Sequence, residues 1–334
     1  MTGGRGATAR FSIPSKQAQA KERQAPVNAI EVQGLHKRYG DTVAVDDVGF
    51  DVDEGEIMGI LGSNGAGKTT TVEMIAGVRR PDRGTAKVLG LNPTADTAAL
   101  RQILGMQLQE SHLHASLTVT ELVRLYASFY PDPADVPRLI ESVGLSEKSK
   151  TRFEKLSGGQ QQRLSIALAL VGKPRVVILD ELTTGLDPQA RRRIWALVEE
   201  LKTEGVTIVL VSHLMEEVER LCDRVTLIDA GTVVATTTPS GLIARAALAQ
   251  NVTFRVSGTF DRAVFAGVAG IDDVEVDDET VTVTGEGDLL QTVGSTLVSA
   301  GVVVTETRLH QPTLDDAFVA LTGRRLDENS EEAA

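Results

Sequence analysis

Residues 57–70 read Ile57-Met58-Gly59-Ile60-Leu61-Gly62-Ser63-Asn64-Gly65-Ala66-Gly67-Lys68-Thr69-Thr70. An unbroken apolar run of this kind predicts a strand covered on both faces. It runs straight into a turn with the spacing G-x-x-x-x-G-K-[ST], and Thr70 to Ala76 can continue as a helix. Strand, loop and helix therefore follow in the order a phosphate-binding loop requires. The glycines let backbone N–H groups converge on phosphate oxygens, and the helix amino terminus adds a favourable dipole. On this reading Gly62, Ser63, Asn64, Gly65, Ala66, Gly67, Lys68, Thr69 and Thr70 cradle a nucleoside triphosphate. Lys68 contacts the β- and γ-phosphates, and the Thr69 hydroxyl ligates Mg²⁺.

A second apolar run, Val176-Val177-Ile178-Leu179, ends in Asp180-Glu181. Asp180 at the strand end is placed to hold Mg²⁺, and Glu181 to polarise the attacking water. From Ile30 to about Gly241 short apolar runs alternate with helical stretches, the pattern of a mainly parallel α/β sheet. Val206–Val211 reads as a further covered strand, and Thr118 to Phe129 and Ser157 to Leu170 read as helices.

Composition narrows the function classes. The 334 residues carry a formal charge of −12, which argues against sequence-independent nucleic-acid binding, since that needs a basic footprint. The single cysteine, Cys222, rules out an internal disulfide and suits a reducing compartment. The longest apolar candidate, Leu164 to Val171, falls far short of the roughly 18 residues of a spanning helix and is closed by Gly172, Lys173, Pro174 and Arg175. The amino terminus has no apolar core and does not read as a secretory signal. A soluble intracellular chain is expected.

Residues 1–28 hold five Lys/Arg against one Glu and no hydrophobic period, and read as a disordered basic tail. Residues 29–245 read as one α/β domain holding the phosphate loop and the Asp180–Glu181 strand. A second unit, 250–323, reads as a strand at Val252–Val256, a helix near Arg262–Val268 and a hairpin through Val274–Val276 and Val281–Val283. A helix at Leu289–Val298, a strand at Val302–Thr305 and a last helix from Thr313 follow. The order βαββαβ plus one helix predicts a small ferredoxin-like α+β domain. Residues 324–334 read as a disordered end. Residues 251–334 hold 16 acidic and 5 basic groups, so the charge sits mainly outside the ATPase unit. The triple arginine at 191–193 reads as a solvated helix face.

Leu156-Ser157-Gly158-Gly159-Gln160 lies between the phosphate loop and the Asp180–Glu181 strand. It resembles the signature motif of ABC-type ATPases. The resemblance implies a P-loop nucleotide-binding domain with a helical subdomain, hydrolysing ATP with Mg²⁺. It also implies that Ser157, Gly158, Gly159 and Gln160 close on the ATP held by a second copy, in a head-to-tail dimer. Tyr39 resembles the family's aromatic platform for adenine. Gln109 resembles the glutamine that senses Mg²⁺ and the lytic water, with a catalytic and a metal-binding role. Gly185-Leu186-Asp187 resembles the loop that couples the two sites, and His213 the switch histidine that contacts the γ-phosphate. Two positions depart from the family pattern. Ser63 and Leu182 stand where a proline is common, and Leu182, lacking a fixed φ, is expected to loosen the turn beside Glu181 and change the rate.

A narrower resemblance covers the rest. His310-Gln311-Pro312-Thr313-Leu314-Asp315-Asp316-Ala317-Phe318-Val319-Ala320-Leu321-Thr322-Gly323 is similar to the carboxy-terminal motif of the daunorubicin/doxorubicin-resistance exporter ATPases, as is Met215 to Arg224 to their segment after the histidine. It implies a drug or natural-product exporter whose permease is a separate integral membrane subunit. The chain would then sit at the cytoplasmic face of the membrane and bind no nucleic acid. A non-transport ABC-type ATPase acting on ribosomes or DNA is the alternative; the single cassette and the absence of heptads argue against it.

Overall fold

The computed structural model describes residues 28–107, 113–256 and 260–323. The expected tails, except Asn28, and Gln109 lie outside the described residues; Asn28, expected as the end of the tail, is the first residue of the first strand. The described chain divides into two compact units, 28–239 and 240–323.

The first unit runs β1 (Asn28–Tyr39), β2 (Thr42–Asp53), β3 (Ile57–Leu61), α1 (Lys68–Ile75), β4 (Arg83–Val88), α2 (Thr97–Ile103) and β5 (Leu104–Gln107). The helices α3 (Val119–Ala127), α4 (Val136–Ser142) and α5 (Gly158–Leu170) follow as a block. Then come β6 (Val176–Asp180), α6 (Pro188–Thr203), β7 (Thr207–Val211), α7 (Met215–Leu221), β8 (Arg224–Asp229) and β9 (Thr232–Thr237).

Two sheets share one core. β2-β1-β4 is antiparallel; the six-stranded sheet has the order β5-β6-β7-β3-β8-β9 and is parallel except for β9. Every residue of β3, β6 and β7 is buried, as their continuous apolar runs require. Because strand side chains alternate, Met58, Ile60, Val176, Ile178, Val209 and Val211 all face one way. They pack with Ile30, Val32 and Val52 of the smaller sheet and Val72, Met74 and Ile75 of α1.

Register decides where the chemistry goes. Val211 pairs with both Ile60 and Asp180, so β3, β6 and β7 end side by side. The loops that start at Gly62, Glu181 and Ser212 therefore leave the same sheet edge. That is the carboxyl-end crevice where open α/β sheets bind ligands.

Helix starts follow from their caps. Thr118 and Glu121 form a reciprocal capping box at α3, and Ser157 and Gln160 form one at α5. The apolar run Leu164 to Val171 is buried inside α5 and its end. Among the described residues no helix is long and apolar enough to cross a membrane.

α8 (Pro239–Arg245) spans the division between the units. The second unit runs β10 (Gln250–Val256), β11 (Ile271–Asp277), β12 (Thr280–Gly285), α9 (Leu289–Ser299), β13 (Val304–His310) and α10 (Leu314–Thr322). Its antiparallel sheet has the order β11-β12-β10-β13, the plait expected from βαββαβ. The helix expected near Arg262–Val268 is a single 3₁₀ turn, Arg262–Phe265, because Ala266 turns extended and Gly267 takes φ +74°. The last strand is longer and later than its apolar run, Val302–Thr305, indicates. Its Thr-Glu-Thr-Arg stretch lies on an edge strand and is solvated.

Candidate functional site

The glycine-rich turn wraps the start of α1. Gly67 has φ +99°, and a Cβ there would lie 2.3 Å from the Ala44 carbonyl oxygen, so no other residue fits. Gly67 also caps α1 without a side-chain partner, leaving the first-turn amides to meet an anion. The turn is braced from outside, with Gly231 N–H donating to Ala66 O at 3.1 Å and Asp46 N–H to Gly231 O at 2.8 Å. Lys68 Nζ donates to Gly62 O and Ser63 O at 2.8 and 2.9 Å, which holds the loop wound around its own ammonium. Burial pushes the Lys68 pKa down, and the carboxylates of Asp180 and Glu181 hold it up. The cradle and both acids thus share one electrostatic field.

Asp180 is 1% exposed. Burial, and then the neighbouring Glu181 charge, push its carboxyl up to about 6, against the opposing pull of Lys68 and the Thr69 hydroxyl. Its Oδ2 is buried with no hydrogen-bond partner among the described residues. An orphaned carboxylate oxygen beside a threonine hydroxyl is an oxygen-only pair of the kind that suits Mg²⁺ completed by phosphate oxygens.

Keeping this carboxylate ionised in the fold costs about 3 kcal/mol, since each pH unit separating the folded from the unfolded pKa is worth about 1.4 kcal/mol. The folded pKa is the higher one, so the cost is full above about pH 6, shrinks as pH falls and vanishes near the unfolded value. Asp180→Asn therefore raises the Tm of the nucleotide-free protein by about 5–10 °C at pH 7.5 and roughly half as much at pH 5. A thermal melt showing no gain at pH 7.5 would contradict this.

Glu181 directly follows β6, with its N–H bonded to Val211 O at 2.9 Å. Its φ is +52°, a left-handed value uncommon for a side chain of this size. The turn is held by Gln162 of α5, whose Nε2 donates to Glu181 O at 2.9 Å and Leu182 O at 3.3 Å. Leu182 is fully buried, so the turn is anchored by packing where a proline would have restricted φ. Sequence reasoning misses Gln162, because a third glutamine in Gln160-Gln161-Gln162 carries no local signal. His213, just past β7, places Nδ1 3.7 Å from Glu181 Oε1, with both side chains partly exposed. A carboxylate and an imidazole at the mouth of an anion cradle can orient a water and take its proton.

The remaining expected residues fall into separate groups. Ser157 and Gly158 are exposed at the start of α5, and a Cβ on Gly158 would meet nothing within 4 Å. Nothing among the described residues requires glycine there. Gln160 is engaged in the Ser157 capping box. Asp187 caps α6, its Oδ1 accepting from Gln189 and Ala190 N–H at 3.0 and 2.9 Å. Those backbone bonds hold the Asp187 carboxyl below its usual range. Tyr39 ends β1 with a half-exposed ring, and the Arg79 guanidinium lies 5.1 Å from its centroid. Of the triple arginine, Arg192 and Arg193 are exposed as expected, while Arg191 is half-buried, 6.0 Å from the Trp195 ring centroid and 3.7 Å from Glu216.

Residues 45–184 match the family model described as ABC transporter. The chain is 36% identical over 317 residues to the Nod factor export ATP-binding protein I of Paraburkholderia xenovorans, a match covering 91% of this chain and 100% of that protein. It is 33% identical over 308 residues to the linearmycin resistance ATP-binding protein LnrL of Bacillus subtilis, covering 89% and 99%. Among solved structures, an ATP-binding subunit of an ABC transporter aligns with a TM-score of 0.61 at 29% identity, covering 65% of this chain and 92% of the other. A dimeric bacterial ABC transporter cassette aligns with a TM-score of 0.57 at 28% identity, covering 63% and 98%. The chain belongs to the ABC transporter family, as an ATP-binding, ATP-hydrolysing subunit.

Proposed function

We propose that this chain energises export of a drug-like or natural-product compound through a separate transmembrane subunit, working as a head-to-tail pair of identical copies. The observation that carries the export reading is similarity running through both units to relatives named for Nod factor export and linearmycin resistance. The narrower daunorubicin-type reading rests on the segment His310 to Gly323. Its Thr313 and Asp316 form the capping box of α10.

Adenine stacks on Tyr39, and the residues from Gly62 to Thr70 wrap the phosphates, with Lys68 turning from its two carbonyls to the β- and γ-oxygens. Thr69 and Asp180, with Gln109 outside the described residues, would hold Mg²⁺, which when bound neutralises charge on the β- and γ-phosphates. Glu181 orients a water toward the γ-phosphorus and accepts its proton as the bond to the β-phosphate oxygen breaks. His213 steadies the γ-phosphate and the water. Ser157, Gly158, Gly159 and Gln160 of a second copy seal the site, which accounts for the open space over Gly158. Asp187, fixed at the α6 cap, lies on the loop that couples the two sites.

A cleft of about 400 Å³, lined by Ala76, Val78, Leu100, Leu104 and Met106 together with Thr97 and Arg101, offers the membrane subunit a seat. Val78 is 60% exposed there. Docked at that cleft, the chain lies on the cytoplasmic face of the membrane.

The test is to trap the assembly and reconstitute it. Membranes from cells expressing Glu181→Gln are solubilised gently with ATP, and the co-purifying integral membrane protein is identified. Wild-type chain and partner are then reconstituted in vesicles. ATP-driven export by that pair is expected; ribosomes, DNA-associated proteins or nothing from the membrane fraction would overturn the transport reading while leaving the ATPase standing.

A further inference from the structure

We propose that Glu217 is a positioning residue for hydrolysis. It fastens the turn carrying Glu181 to the helix that follows His213, and thereby sets the spacing of those two groups. The inference rests on the reading that Glu181 and His213 act on the water.

Glu217 is the third residue of α7 and is completely buried. Its Oε1 accepts two hydrogen bonds, from Thr183 Oγ1 at 2.9 Å and from Trp195 Nε1 at 3.0 Å. Its Oε2 is buried with no partner among the described residues. Of the two guanidinium groups over the Trp195 ring, Arg220 lies 5.0 Å from the centroid and pairs with Glu199 at 3.0 Å. Arg191 lies 6.0 Å from the centroid with Nη1 3.7 Å from Glu216 Oε2, and its Nε is buried with no hydrogen-bond partner among the described residues.

As a contribution to stability this is a poor arrangement. A buried carboxyl group with one unmatched oxygen costs free energy that an apolar side chain of similar volume would not. What the carboxyl group does supply is direction. Through one oxygen atom it joins three segments that are distant in sequence: the turn after β6, the middle of α6 and the first turn of α7. Thr183 is also fully buried and lies two residues from Glu181. Glu217 lies four residues after His213, which precedes α7, and the extended N-cap Leu214 between them is tied back by its N–H to Ser212 Oγ at 3.1 Å. Gln162 grips the same turn from α5. The left-handed Glu181 is thus clamped from both sides, at 3.7 Å from the imidazole.

The test uses steady-state ATPase of the full chain, per folded molecule by near-ultraviolet circular dichroism. Glu217→Leu should lower kcat about tenfold or more with KM within about threefold, the signature of lost transition-state positioning. Thr183→Val and Trp195→Phe should each lower kcat about threefold, and neither should add to Glu217→Leu. Glu217→Gln, which keeps an acceptor oxygen in place, should retain at least about half the rate. If Glu217→Leu does not fold, Trp195→Phe and Thr183→Val decide the matter through the same split between kcat and KM. Unchanged kcat in these variants, or losses that track only the folded fraction, would overturn the proposal. Glu181→Gln is run alongside. If it is inactive while Glu217→Leu runs at full rate, this inference alone fails; a full-rate Glu181→Gln would remove the reading of the site and this inference with it.

Discussion

Glu181→Gln binds ATP within about threefold of the wild-type affinity and turns over at least about a hundredfold more slowly, the loss expected when a positioned general base is removed. Glutamine has the same length and can take the same left-handed backbone, so the turn clamped by Gln162 persists. What disappears is the oxygen that accepts the proton, 3.7 Å from His213 Nδ1. Phosphate release and calorimetric ATP binding measure the two quantities separately. Near-normal turnover would show that the proton goes elsewhere and that Glu181 is not the base.

The second large effect is on binding. Lys68→Ala weakens ATP at least about a hundredfold, because two charge-assisted hydrogen bonds to phosphate, each worth about 1.5–3 kcal/mol, are lost together. The loop loses its organiser as well, since Lys68 Nζ is what ties the Gly62 and Ser63 carbonyls in the free protein. Far-ultraviolet circular dichroism should be unchanged, because the core around α1 is built from Val72, Met74 and Ile75 and not from Lys68. An affinity within about threefold of wild type would mean that backbone amides alone hold the phosphates.

The parts of the site that are legible in the sequence are those written contiguously. Ile57 to Thr69 is strand, turn and helix start in one run, and Val176 to Glu181 is strand and acids in another, so pattern alone places them. Their adjacency is not written locally; it comes from the pairing of Val211 with both Ile60 and Asp180. The clamp on Glu181 is invisible for the same reason. Gln162 and Glu181 are 19 residues apart, and Glu217 and Thr183 are 34 apart, joined only once the fold is made. Glu217 stands between Glu216 and Glu219, both exposed, and nothing local separates the buried acid from these two. Local backbone choices also escape. The 3₁₀ turn at Arg262–Phe265 is ended by the backbone at Ala266 and Gly267, and the polar edge strand Val304–His310 depends on where the chain meets solvent; hydrophobic periodicity reports neither.

Hydrolysis as proposed requires that two copies complete one another's ATP sites. Sedimentation of Glu181→Gln with and without saturating Mg-ATP tests this directly. The expected result is a monomer without nucleotide, a dimer with it, and a return to monomer when Ser157→Arg is added to fill the open start of α5. A monomer at saturating ATP, or a dimer indifferent to both ATP and Ser157→Arg, would contradict it.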